Sequence, residues 1–169
     1  MTPMKRQTEK PSPTNVSAEK ALLGAILLDN RLFVVAGAIE PDDFSLDSHR
    51  LLWSHIAVMV GRGEAADVVT LVEDMRTAKT LDKVGDLPVS YIASLSEDTS
   101  RYRPAVKDWA RIIKAKSLQR RLITLCTEAI EKSYEGERGG DIIAFLRENL
   151  DDIEACANRG LKAKEDGIV

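Results

Sequence analysis

The chain has little of what usually announces chemistry. Its only cysteines, Cys126 and Cys156, show no CxxC spacing, which argues against a disulfide framework or a zinc site and leaves two reduced, buried thiols as the expectation. Its two histidines, His49 and His55, are six residues apart; on a helix that separates them around the cylinder, so they make no i, i+4 metal pair and are expected as surface or cap residues. No GxxxxGK[ST] run is present to cradle nucleotide phosphates, and serine, cysteine and carboxylate residues lack a recognisable nucleophile setting. An enzyme is therefore not expected in this chain, nor a metal or cofactor. No uncharged run approaches the roughly 18 to 20 apolar residues that span a membrane. Residues 1–10 lack the apolar stretch of a secretory signal, so a cytoplasmic location is expected. Aromatics are 5% of 169 residues, thin for a sheet sandwich, and a net charge of −3 projects no overall positive field towards nucleic acid.

What is present is helical. Hydrophobic residues at 44% and charged residues at 30% suit a folded chain of about one domain. Residues 1–14, with Pro3, Pro11 and Pro13, read as an arm. Ser17 is placed to cap a helix over 18–28 that is apolar nearly all round and hence central; Gly24 in its middle is tolerable if another backbone passes close by. Short helices are predicted at 32–39, ending before Pro41, and at 48–60, ending at Gly61 and Gly63. Another opens on a Thr70/Glu73 capping box, and one starts at Pro88. No segment alternates at period two. The expected fold is all-α: a small helical globular subdomain over 15–100, then a long antiparallel helical hairpin over 101–159, with 160–169 as the start of a linker.

The hairpin carries the candidate sites. Residues 104–135 contain no glycine and no internal proline, and Gly136, Gly139 and Gly140 break the helix. The second arm, 141–158 and closed by Gly160, places Ile143, Leu146, Leu150, Ile153 and Ala157 at seam spacing, with Ile123, Cys126 and Ile130 as the expected stripe to meet it. Leu118, Leu122, Leu125 and Ala129 form a second stripe, and Ile142 and Phe145 lie off the seam. A lone hairpin cannot bury both stripes, so these six residues are the expected oligomer interface. Between Arg101 and Arg121 eight basic residues face one acid. Arg111, Lys114, Lys116, Arg120 and Arg121 could contact phosphates, making a single-stranded nucleic-acid module the competing reading. Compensation by the acids between Glu135 and Glu154, within or between subunits, is the favoured account of that stripe.

Certain runs then fall in a recognisable order: Pro13, Ala18-Glu19, Leu23-Gly24-Ala25-Ile26-Leu27, Pro41-Asp42-Asp43-Phe44, His49-Arg50, Asp67 with Val69-Thr70-Leu71, Gly85, Tyr91 and Leu95. Trp109-Ala110-Arg111-Ile112-Ile113 and Arg120-Arg121-Leu122-Ile123 follow. From about residue 13 to 158 the chain resembles the N-terminal domain of DnaB-type replicative DNA helicases, departing from the pattern at Ser45 and Asp86. The resemblance implies a non-catalytic collar of a hexameric helicase that associates with itself as dimers, then as a ring formed as a trimer of dimers, and that docks primase. It maps the primase contact to the neighbourhoods of Tyr91, Ile123, Ala129 and Ile130. The family's ATPase domain is not in this sequence, so ATP and Mg belong to that domain, and DNA is met only indirectly. A stand-alone adaptor or inhibitor of helicase rings is a further alternative.

Overall fold

The computed structural model describes residues 10–99 and 105–162. It contains seven α-helices among those residues: α1 Val16–Leu28, α2 Leu32–Ala36, α3 Asp47–Gly61, α4 Val68–Thr77, α5 Pro88–Thr99, α6 Val106–Tyr134 and α7 Gly139–Lys162. Two 3-10 turns, Pro41–Asp43 and Leu81–Val84, join them, and no strand occurs among the described residues. The all-α expectation holds.

Helix α1 is the hub because it is apolar nearly all round: Leu22, Leu23, Ala25, Ile26 and Leu27 are all buried. It packs against α5, α6 and α3. Gly24 explains the closest approach, since a Cβ there would overlap the Leu95 carbonyl oxygen and Thr99 Oγ1 of α5. Trp53, Phe44, Leu52, Ile56, Leu71, Met75, Ile92 and Leu95 fill the remaining core. The root of α6 enters the same core through Val106, Ala110 and Ile113. Beyond that root α6 continues outwards, and its 29 residues make about 44 Å at 1.5 Å per residue. Helix α7 folds back along it after Gly136, whose φ of 82° is the left-handed turn that glycine adopts freely.

Several local expectations are corrected. Asn15, not Ser17, caps α1, its side chain accepting from Ala18 N at 3.0 Å. Helix α4 begins one turn earlier than Thr70: Asp67 is the cap, accepting from the Val69 and Thr70 amides, and Thr70 closes the capping box instead of opening it. Gly160 does not end the second arm, since α7 runs to Lys162. Cys126 is exposed and Cys156 half-buried, not the two buried thiols expected. Arg101 and Arg103 lie outside the described residues.

Candidate functional site at the helical hairpin

On α6 the hairpin seam is the reverse of the expected one. Leu125 and Ala129 are buried at 5% and 9% exposure, while Ile123 and Ile130 are exposed at 53% and 51%. Leu125 and Ala129 do not join the globular core, so α7, which packs along α6, is what covers them. On α7 the covered positions are Ile142, Phe145, Leu146, Asn149, Ile153, Cys156 and Ala157, at spacings of three, one, three, four, three and one; Leu146, Ile153 and Ala157 lie on the seam as expected, whereas Ile143 and Leu150 are exposed. The oligomer-interface assignment is therefore corrected at Leu125 and Ala129, and the primase-contact assignment at Ala129: these side chains are consumed within the chain. Leu118, Leu122, Ile142 and Phe145 are half-buried, with Lys132 Nζ lying 5.2 Å from the Phe145 ring centroid.

The face left open is another one. Ile123, Cys126 and Ile130 each follow a covered or half-covered residue of α6 by one position, and Ile143 and Leu150 do the same on α7. In an antiparallel pair the same sense of rotation away from the seam on both helices leads to the same side, so these residues line one side of the hairpin. Ile143 is 52% and Leu150 40% exposed, and Tyr134 extends the α6 side. Contiguous apolar surface of this kind marks an interaction site.

The basic stripe is held at the hairpin root and mostly paired within the chain. Asp43, whose side chain is 2% exposed, receives Lys114 Nζ at 2.6 Å and lies 3.9 Å from Arg121. Its Oδ2 also accepts from the Glu40 amide at 2.8 Å. Arg120 donates to the Pro13 and Asp43 carbonyl oxygens at 3.0 and 2.6 Å, and burial pushes its guanidinium pKa down. Arg121 also reaches Cys156 Sγ at 3.4 Å. Arg111 pairs with Asp108, and Lys116 donates to the Gln119 side-chain Oε1. Within the chain, the compensation comes from the 3-10 turn before α3 and from within α6 rather than from the acids of the second arm. An open cleft of about 710 Å³ lies between the root and α7, lined by Arg50, Arg120, Arg121, Glu128, Asn149 and Asp152 among others.

The histidines are not surface or cap residues, as the sequence suggested. His49 is fully buried; its Nδ1 lies 2.6 Å from Glu19 Oε2 and its Nε2 2.6 Å from Tyr91 Oη. Glu19, itself 2% exposed, also accepts from the Ser45 amide at 2.8 Å. Burial pushes the Glu19 carboxyl up, but the bonds from His49 and Ser45 outweigh it and hold the pKa below the usual carboxylate range. Burial, then the Glu19 charge, raises the Tyr91 hydroxyl. His55 is bonded to Asp74 at 2.6 Å and Thr80 at 2.9 Å, tying α3 to α4 and the turn after it. Nothing in the spacing of these residues signals the contacts, because the partners lie 19 to 42 positions away. Among the described residues no group of three or more His, Cys, Asp or Glu could hold a metal ion, and no helix is long and apolar enough to cross a membrane.

Comparison with known proteins agrees with this architecture. The chain is 32% identical over 137 residues to the replicative DNA helicase DnaB of Geobacillus stearothermophilus, covering 80% of this chain and 30% of the relative. It is also 32% identical over 126 residues to the replicative DNA helicase DnaC of Bacillus subtilis, covering 74% of this chain and 27% of that one. The chain thus spans less than a third of the length of these curated relatives. Its fold matches the crystal structure of the N-terminal domain of DnaB helicase from Mycobacterium tuberculosis with a TM-score of 0.73 and 25% identity, over 84% of this chain and 99% of that one. A DnaB-like replicative helicase described together with its interactions with primase shares the fold, with a TM-score of 0.66 and 21% identity over 84% of this chain and 31% of that one. Residues 11–115 match the DnaB-like helicase N-terminal domain family. A globular helical core, with a hairpin rooted in it by a buried carboxylate, is thus the form taken here by a member of that family, to which the chain belongs.

Proposed function

We propose that this chain is the non-catalytic collar of a hexameric replicative DNA helicase, acting in the cytoplasm, where it associates with copies of itself and docks primase. The observation that carries the reading is the open side of the hairpin: α6 and α7 satisfy their own seam, yet Ile123, Ile130, Ile143 and Leu150 all stand more than one-third exposed. Four such side chains on one side of a projecting rod form the centre of a protein interface. We assign the α7 side, Ile143 and Leu150, to a second copy, giving dimers that close into a ring. We assign the α6 part of that same side, Ile123 and Ile130, together with Tyr91 on the globular part, to primase. Support for primase as the partner comes from the structural neighbour described with it. Among the described residues, Lys114, Arg120 and Arg121 are held within the chain and Arg111 is paired with Asp108, which favours assigning DNA contact to the rest of the assembled helicase. The half-buried Leu118, Leu122, Ile142 and Phe145 flank the proposed interface and do not centre it.

Light scattering and calorimetry test both assignments. The double variant Ile143→Asp/Leu150→Asp should be monomeric at concentrations where the parent chain associates, with unchanged helical circular dichroism. Ile123→Asp/Ile130→Asp should keep the assembly and lose the heat of binding to the primase of the same organism. A monomeric parent chain at high concentration, or primase binding indifferent to both pairs, refutes the proposal.

A further inference from the structure

Tyr91 is a half-buried side chain with its polar end turned inwards. Its hydroxyl lies 2.6 Å from His49 Nε2, and the Tyr91 and His49 rings are within 14° of parallel with centroids 6.1 Å apart. His49 is held in turn by Glu19 through its other nitrogen, and Glu19 by the Ser45 amide. An ionised Glu19 can only accept, so His49 Nδ1–H donates to it, and Nε2 makes the ring's other hydrogen bond with the tyrosine hydroxyl. The chain Ser45–Glu19–His49–Tyr91 crosses from the segment before α3 through α1 and α3 to α5, and it ends at the surface. Half-buried Lys20 places its ammonium over the ring, 5.4 Å from the Tyr91 ring centroid. The hydroxyl is therefore committed to the interior, and a partner can meet only the ring and the lysine above it.

We infer that the buried Glu19–His49 pair is a positioning device for Tyr91, fixing the ring in the one rotamer in which it is presented to a docking protein; this rests on the reading that Tyr91 lies in the primase-docking surface. His49 is fully buried and touches no partner. It acts through Tyr91 alone. A tyrosine on a helix that is released from its pin distributes over about two χ1 wells, so the docking-competent fraction, and with it the apparent affinity, falls about twofold. Loss of the ring itself removes the contact and costs about tenfold or more.

The test is a double-mutant cycle with a separate readout of the ring. His49→Gln should weaken primase binding about twofold, Tyr91→Ala about tenfold, and the double variant should bind no more weakly than Tyr91→Ala alone. In ring-labelled NMR spectra of the chain without primase, the Tyr91 signals, assigned by their loss in Tyr91→Phe, should collapse towards averaged shifts in His49→Gln. Additive binding losses, or a folded His49→Gln chain whose Tyr91 signals and affinity match the parent, overturn the inference. If the parent chain does not bind primase, the docking reading fails, and the ring spectra alone decide: a mobilised Tyr91 supports the positioning role and an unmoved one overturns it. If His49→Gln does not fold, Tyr91→Phe takes its place, removing the pinned hydroxyl but keeping the ring. It should weaken binding about twofold, and binding equal to the parent overturns the inference.

Discussion

Replacing Gly24 by alanine separates local propensity from tertiary packing, because the two predict opposite signs. In an isolated helix the change is worth about 1 kcal/mol in favour of alanine. In the folded chain the added methyl would overlap the Leu95 carbonyl oxygen and Thr99 Oγ1, so α1 and α5 must part or the α5 backbone must shift. Overpacking of a tight core contact costs about 1–3 kcal/mol. The Thr99 hydroxyl, 3% exposed and donating to the Leu95 carbonyl at 2.9 Å, would lose geometry as well, at about 1 kcal/mol. Set against the propensity gain, the net loss is about 1–3 kcal/mol, which lowers the urea midpoint by about 1 M at an m-value of about 2 kcal/mol/M. Gly140→Ala is the control: it also lies inside a helix, and an added Cβ meets nothing within 4 Å. Its midpoint should hold or rise. Equilibrium urea unfolding followed by Trp53, which is 1% exposed, reads both variants. A Gly24→Ala midpoint equal to or above that of the parent would refute the close approach of α1 and α5 and the account of the fold built on it.

Three further outcomes follow from the geometry. Asp43→Ala should destabilise the chain by about 3 kcal/mol in urea, since it leaves the largely covered Lys114 ammonium without its partner and the Glu40 amide without its acceptor. Leu125→Ala should cost about 2 kcal/mol while Ile123→Ala stays within about 0.5 kcal/mol, because one side chain is inside the hairpin and the other in water; similar losses for both would return the seam to its sequence-based assignment. Glu19 sits below its ordinary value of 4.5 in the folded chain, so its contribution is complete above that pH and is lost as pH falls through the folded value. Thermal melts from about pH 5.5 downwards should therefore decline more steeply for the parent than for Glu19→Gln, and parallel profiles would contradict the buried carboxylate bonds.

The sequence was enough to determine where the helices lie and that no sheet would form. Local rules govern both: the uninterrupted apolar cylinder of α1, the proline that opens α5, and the break at Gly136 are read over a few residues. The motif order was also sufficient to place the chain among DnaB-like N-terminal domains. What only the tertiary structure decided is which of two adjacent apolar stripes on α6 meets α7. Leu125 and Ile123 are both aliphatic and only two positions apart, and the choice depends on the rotation imposed where Val106, Ala110 and Ile113 anchor the root in the core. The same holds for the polar contacts. His49 looks like a surface residue among Ser48 and Arg50 until the chain brings Glu19 and Tyr91 to its two nitrogens from 30 and 42 positions away. The local sequence around Asp43 likewise gives no sign of Lys114, which α6 lays against it from 71 positions away. Periodicity reports how much apolar surface a helix carries, but the direction in which it points, and the charges it buries, are set by contacts distant in sequence.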